Sequence, residues 1–115
     1  MMKKLYDEII TLVKNEYGRA AQCYGATNHS SHESYAVLKE EMEEARAECI
    51  STELHVDKYW TAVKGDDYEK QRGHLREVYI HSLLAACEFV QTAAMAHKAL
   101  ATMENTGTKT QQGEF

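Results

Sequence analysis

Glu88 lies inside the apolar stretch 78–96, where it is the only residue with a formal charge if His81 is neutral. At about 100° per residue, Ile80, Leu84, Glu88, Gln91 and Met95 fall on one stripe of a helix, so the acid points where the apolar face points. Burying an ionised carboxylate costs several kcal/mol unless a cation, a metal or hydrogen-bond donors compensate it. Glu88 is therefore a site residue first and a surface residue second. The competing reading is a buried ion pair with Arg19, Arg46 or Arg76, or a protonated carboxyl hydrogen-bonded to Gln91.

A second constellation is the run Lys39-Glu-Glu-Met-Glu-Glu-Ala-Arg46. With Leu38 at the centre of the apolar face, Glu41 lies about 60° off it and Glu44 about 120° off, on one flank, with Glu48 between them. Glu40 and Glu43 point toward solvent. Glu41 and Glu44, one helical turn apart, can converge beside the core, which is the geometry a hard divalent cation such as Mg²⁺ asks of carboxylates. If Glu88 faces that flank, three carboxylates share one site. A Glu-rich run is also what a solvated helix face looks like, with Lys39 and Arg46 as neighbours. Glu16, on the apolar face of its own helix, is a reserve member of the set.

Other constellations are thinner. His29 and His32 have HxxH spacing, and His74 and His81 are two turns apart, but no cysteine or carboxylate set completes a tetrahedral zinc pattern in sequence. Cys23, Cys49 and Cys87 are odd in number and widely spaced, and read as reduced core thiols. No GxxxxGK[ST], GxSxG or GxGxxG motif occurs, so P-loop, serine-hydrolase and dinucleotide-fold readings lack support. Trp60, Tyr35 and Tyr59 could stack on a base, although Trp60 falls on the apolar stripe of its helix, where packing is the commoner role. Lys39, Lys64, Arg72, Arg76 and Lys98 could contact phosphate, or simply solubilise the surface.

The elements that must position these residues are helices. The 115 residues include no proline, and apolar positions recur at helical rather than alternating spacing, which predicts an all-α fold in one domain. A first helix is expected from about residue 3 to 24, with Leu5, Ile9, Leu12, Val13, Ala20 and Cys23 on its core face and Gly25 ending it. Ser30-Ser-His-Glu33 is a capping-box pattern that starts a second helix near Ser31. Leu38, Met42, Ala45, Cys49, Thr52, Val56, Trp60 and Val63 then keep one helical phase to Lys64, where Gly65 closes the helix. Asp66-Asp-Tyr-Glu69 offers the next cap, and a third helix runs to about Met103 with a break allowed at Gly73. Residues 1–103 form the domain, and 104–115 read as a frayed polar tail.

A helix from 31 to 64 spans roughly 50 Å at 1.5 Å per residue, against a radius of gyration near 13 Å for a compact chain of about this size. Such rods rarely complete a core alone. Ala85, Ala86, Ala93, Ala94, Ala96, Ala99 and Ala101 allow close helix approach, so a bundle of long antiparallel helices completed as a homodimer or tetramer is expected, with a folded-back monomer as the alternative.

A net charge of −5 argues against unaided nucleic-acid binding. Residues 1–8 lack an apolar h-region, so no signal peptide is expected. The stretch around Glu88 is long enough to suggest a membrane span, but Glu88, Gln91, His81, Ser82 and Thr92 favour a core helix. A cytoplasmic protein is the expectation.

The order Tyr24-Gly25, Asn28-His29, His32-Glu-Ser-Tyr-Ala-Val-Leu-Lys-Glu-Glu-Met-Glu-Glu44 and Glu88-Phe-Val-Gln-Thr-Ala-Ala-Met-Ala-His-Lys98 resembles the phage-type MazG-like proteins of the all-α NTP pyrophosphatase superfamily. The resemblance covers roughly residues 9–100, and its motifs are moderately specific because glutamate pairs are common in helices. In that superfamily an ExxE pair and a following ExxD pair hold Mg²⁺ against the phosphates of a nucleoside triphosphate, which is cleaved to monophosphate and pyrophosphate. The resemblance implies that Glu41 and Glu44 are the ExxE pair and that Glu88 with Gln91 stands in the place of ExxD. Gln91 departs from the pattern, offering a neutral amide where aspartate is usual, which implies a weaker metal site.

Three functional expectations follow. The first is a Mg²⁺-dependent nucleoside triphosphate pyrophosphohydrolase, with Glu41, Glu44 and Glu88 catalytic, Gln91 beside them on the metal, and Tyr35, Trp60, Lys64, Arg76 and Lys98 contacting the nucleotide. The second is a phage protein that uses the same pocket to sequester a nucleotide or a nucleotide second messenger against host defence, working in the host cytoplasm. The third is a structural helical oligomer whose glutamates are salt-bridged.

Overall fold

The computed structural model describes residues 2–105 and is all-α, with no strand among the described residues. Three helices carry the chain: α1 (Met2–Tyr24), α2 (Ser31–Lys64) and α3 (Tyr68–Asn105). All but the first two residues of the segment expected to be a polar tail lie outside the described residues. Glu104 and Asn105 continue α3.

Local chemistry accounts for each boundary. Gly25 ends α1 with its N–H on the Ala21 carbonyl at 2.9 Å and a φ of 92°, a conformation open to glycine at no steric cost. At the start of α2 the Ser30 hydroxyl accepts the Glu33 N–H at 3.2 Å. Glu33 Oε1 reaches back one residue further than a standard capping box, accepting the His29 N–H at 3.1 Å.

The end of α2 differs from expectation. Gly65 follows the last helical residue, but the left-handed position is Asp66, at φ 53°. Asp66 N–H bonds the Val63 carbonyl at 3.1 Å and Asp67 N–H the Ala62 carbonyl at 3.0 Å, a Schellman ending with Asp66 at its left-handed residue. Asp67 then caps α3, its Oδ1 accepting the Lys70 N–H at 3.0 Å. Three residues thus end one long helix and begin the next. The break allowed at Gly73 does not occur, because the local entropic preference of one glycine is small against the pairing of a 38-residue helix.

The chain divides into two compact units, one of Met1–Glu41 with Val90–Phe115 and one of Met42–Phe89. In the second, α2 and α3 form an antiparallel hairpin in which Glu48 meets His81 and His55 meets His74. In the first, Glu16 and Tyr17 of α1 meet Gln91 and His97 of α3, and the Asn28 N–H bonds the Thr102 hydroxyl at 2.8 Å.

Among the described residues the buried apolar side chains are small: Ala45, Ala62, Ala85 and Ala94. Leu5, Ile9 and Leu12, expected in the core, are exposed, as are Met42, Val56, Trp60, Ile80 and Leu84. The cysteines are free but exposed, which corrects their reading as core thiols. Helical phase puts Cys23, Cys49 and Cys87 on apolar stripes, but one chain does not cover those stripes. By length and composition alone, α3 is long and apolar enough to cross a membrane.

Candidate functional site

In the first unit, the loop after α1 and the facing turns of α1, α2 and α3 enclose a cleft of about 600 Å³. Glu16, Arg19, Glu33, Glu41, Gln91 and Lys98 contribute its polar lining, and Tyr24, Asn28 and His29 stand on the loop side. Gln91 donates through Nε2 to Glu16 Oε2 at 2.6 Å, and Arg19 pairs with Glu16 Oε1 at 2.9 Å. The amide carbonyl of Gln91 keeps its capacity to accept. Lys98 is 6% exposed, a cation held by its surroundings rather than by solvent. The loop is fixed from below by the 1% exposed Thr102 and by the Asn28 Nδ2 donor to Ser34 Oγ at 2.8 Å.

Three of the residues expected to hold the metal or the nucleotide therefore line one cavity: Glu41, Gln91 and Lys98. Glu16, the reserve acid, brings a carboxylate to the neutral amide at 91. Its signal in sequence was its place on the apolar face of α1. Tyr35, Trp60, Lys64 and Arg76 are not among the lining residues. Tyr35 and Trp60 are exposed, and Lys64 sits over the Trp60 ring at 5.6 Å from its centroid. Arg76 lies with Arg72, Tyr68 and Tyr79 on a shallow outer groove of α3. Tyr24 and His29 supply the aromatic lining instead; in sequence they stood among the residues that carry the resemblance, and His29 in the HxxH pair, without a nucleotide-contacting role.

In the second unit, Glu88 is half-buried and shares a hydrogen bond with Glu44. Burial is the main reason its carboxyl holds its proton above the ordinary carboxylate range, followed by that hydrogen bond and the charges of Glu44 and Glu48. Arg19 and Gln91, two of the partners anticipated for Glu88, both bond Glu16. Glu41 stands one turn before Glu44 on the unbroken helix α2. Glu40 and Glu43 are exposed, as phase requires.

The same hairpin holds a histidine cluster. His81 Nδ1 is 2.6 Å from Glu48 Oε2, and His81 Nε2 is 3.3 Å from Glu77 Oε2. The hydrogen bond to Glu48 raises the His81 pKa above the usual histidine value, against the opposing effect of burial and with help from Glu77. The His55 ring stacks on His81 with centroids 5.9 Å apart and planes 4° from parallel, and its Nδ1 is 3.1 Å from His74 Nδ1.

No family model, curated protein or solved structure matches the chain.

Proposed function

We propose that the chain is a MazG-like nucleotide-binding protein that, with Mg²⁺, hydrolyses a nucleoside triphosphate to the monophosphate and pyrophosphate. The observation that carries this reading is the cleft of the first unit, where Glu41 and Gln91, one residue from each motif, meet Glu16 and the buried Lys98. Its volume, about 600 Å³, falls in the range of roughly 300–1,000 Å³ usual for small-molecule sites. Lys98 offers a fixed positive charge to phosphate oxygens, and Tyr24 and His29 offer ring faces to a base.

The donor chemistry fits the metal. The carboxylates of Glu16 and Glu41 and the carbonyl of Gln91 are hard oxygen donors of the kind Mg²⁺ takes. Glu44 and Glu88, which the resemblance also assigns to the metal, hold a shared hydrogen bond, and a proton held between two carboxylates is one that a cation can displace. When bound, Mg²⁺ neutralises phosphate charge and makes water a better nucleophile. The protein's own part is to fix the phosphates through Lys98 and to orient or deprotonate the attacking water through a carboxylate, for which Glu41 is placed in the cleft.

A second reading, sequestration of an intact nucleotide or nucleotide second messenger, is favoured by one observation. Gln91 is neutral, and the carboxylate that approaches it is already paired with Arg19, which leaves less negative charge to bind Mg²⁺. One experiment separates the readings. The purified protein, near-stoichiometric with nucleoside triphosphates, NAD derivatives and cyclic nucleotides plus Mg²⁺, is filtered and both fractions are chromatographed. Pyrophosphate release lost in Glu41→Gln and Glu88→Gln supports the enzyme. Retention of an intact nucleotide, released on heating, supports sequestration. If neither occurs with any ligand, both readings fall.

The same proposal includes a homodimer or tetramer. Leu54, Trp60, Leu75, Tyr79 and Leu83 are exposed on a two-helix hairpin whose buried apolar residues are alanines, and apolar surface of that extent is what a partner copy covers. Light scattering that gives a monomer at micromolar concentration overturns this part.

A further inference from the structure

We propose that the α2–α3 hairpin binds a divalent transition-metal ion of the zinc class through His55, Glu77 and His81, with Glu48 and His74 as positioning residues for the two imidazoles. This site shares no residue with the nucleotide cleft. One ligand atom from each of His55, Glu77 and His81 lies within 4.8 Å of the others, and all three residues are half-buried. Around a tetrahedral ion with bonds of about 2.0–2.1 Å, donor atoms stand roughly 3.3 Å apart. The proposal requires rotation of the three side chains to close the remaining difference.

Two features distinguish this cluster from a chance meeting of polar side chains. The ligand set, two imidazoles and a carboxylate, is one that selects zinc-class ions and leaves a coordination position open, whereas surface acids alone are satisfied by water. Each imidazole also has an outer partner on the opposite helix. Glu48 Oε2 takes His81 Nδ1 at 2.6 Å, which leaves Nε2, already 3.3 Å from Glu77, facing the other ligands. That is the carboxylate–histidine arrangement that sets tautomer and ring direction at metal centres. His55 has its Nδ1 3.1 Å from His74 Nδ1, a contact in which one ring donates and the other accepts; with His55 as the donor, its Nε2 is left free of a proton to ligate. The two ligating rings then lie stacked, with planes 4° from parallel.

The test is Co²⁺ and Zn²⁺ binding to chelator-treated full-length protein carrying no histidine tag, read by the visible absorption of Co²⁺ and by competition with Zn²⁺. One equivalent of Co²⁺ is expected to bind with micromolar or tighter affinity, with the intense bands of a low-coordinate site that Zn²⁺ then abolishes. The double change His55→Gln, His81→Gln removes the signal. Glu48→Gln and His74→Ala keep the stoichiometry but weaken affinity about 10–100-fold. Glu41→Gln, in the other unit, leaves the spectrum unchanged, so failure of the nucleotide reading and failure of this one are separable. Circular dichroism of each variant shows whether it folds. No micromolar binding by the wild-type protein, or an unchanged spectrum in the folded double variant, overturns the proposal.

Discussion

Replacing Thr102 by valine removes a hydroxyl and preserves shape, so it isolates one link between α3 and the loop that rims the cleft. Thr102 is 1% exposed, and its Oγ1 accepts the Asn28 N–H at 2.8 Å and donates to the Lys98 carbonyl at 2.8 Å. The Lys98 carbonyl keeps its helical partner in the variant, so losing that donor costs little. The Asn28 N–H loses its acceptor while part-buried, and an unsatisfied buried donor costs about 1–3 kcal/mol. At roughly 4–8 °C per kcal/mol for a domain of about this size, Tm falls by about 4–24 °C. The melt is followed by circular dichroism at one fixed protein concentration, since the Tm of an assembling chain depends on it. Hydrogen exchange at the Asn28 amide is measured alongside. Because Asn28 and His29 line the cleft, nucleotide affinity falls with the protection. A Tm within about a degree of wild type, with Asn28 still protected, would refute the claim that Thr102 pins the loop.

Other substitutions test other parts of the structure. Asp66→Gly relieves a left-handed residue at φ 53° and should stabilise the chain by about 0.5–1 kcal/mol in a denaturant titration; a loss of stability would mean the Asp66 side chain has a role of its own. Gly73→Ala adds a Cβ with nothing within 4 Å inside a helix and should gain about 1 kcal/mol. Destabilisation there would point to a partner copy against that face. In chelator, the stability that the shared proton of Glu88 supplies is complete below its ordinary value of 4.5 and is lost as pH rises through its raised folded-state pKa. Glu88→Gln keeps the volume without the proton to lose, so its Tm should exceed that of wild type near pH 8 and match it near pH 4. Parallel pH profiles would contradict the sharing.

Helix limits were legible because they are local. Ser30 and Glu33 cap α2 through neighbours in sequence, and Gly25 and Asp67 act within one turn of where they stand. Even the miss at Gly65 was a displacement by one residue, since Asp66 tolerates a left-handed backbone well enough to take the position. Burial was less legible. Periodicity states which face of a helix is apolar, not what covers it, so Trp60, Leu84 and Cys49 fall on the expected stripes and remain exposed. For Glu88 the apolar setting marked a carboxyl whose charge is disfavoured, but the neighbouring acid Glu44, on another helix, was not visible as a hydrogen-bond partner.

The histidine cluster shows what pairing adds to phase. His74 and His81 are visible as a pair two turns apart on α3, and alone they do not complete a zinc site. Glu48 and His55 have the same seven-residue spacing on α2, which holds each pair to one helix face. A turn closing at residues 65–67 sets the antiparallel register in which 48 meets 81 and 55 meets 74. One register brings both seven-residue steps together, and Glu77, one turn from His81 on the same face, joins them. The information was present as two matching intervals on either side of a short turn. It stays hidden as long as each helix is considered alone, because a cross-helix site depends on where the turn falls.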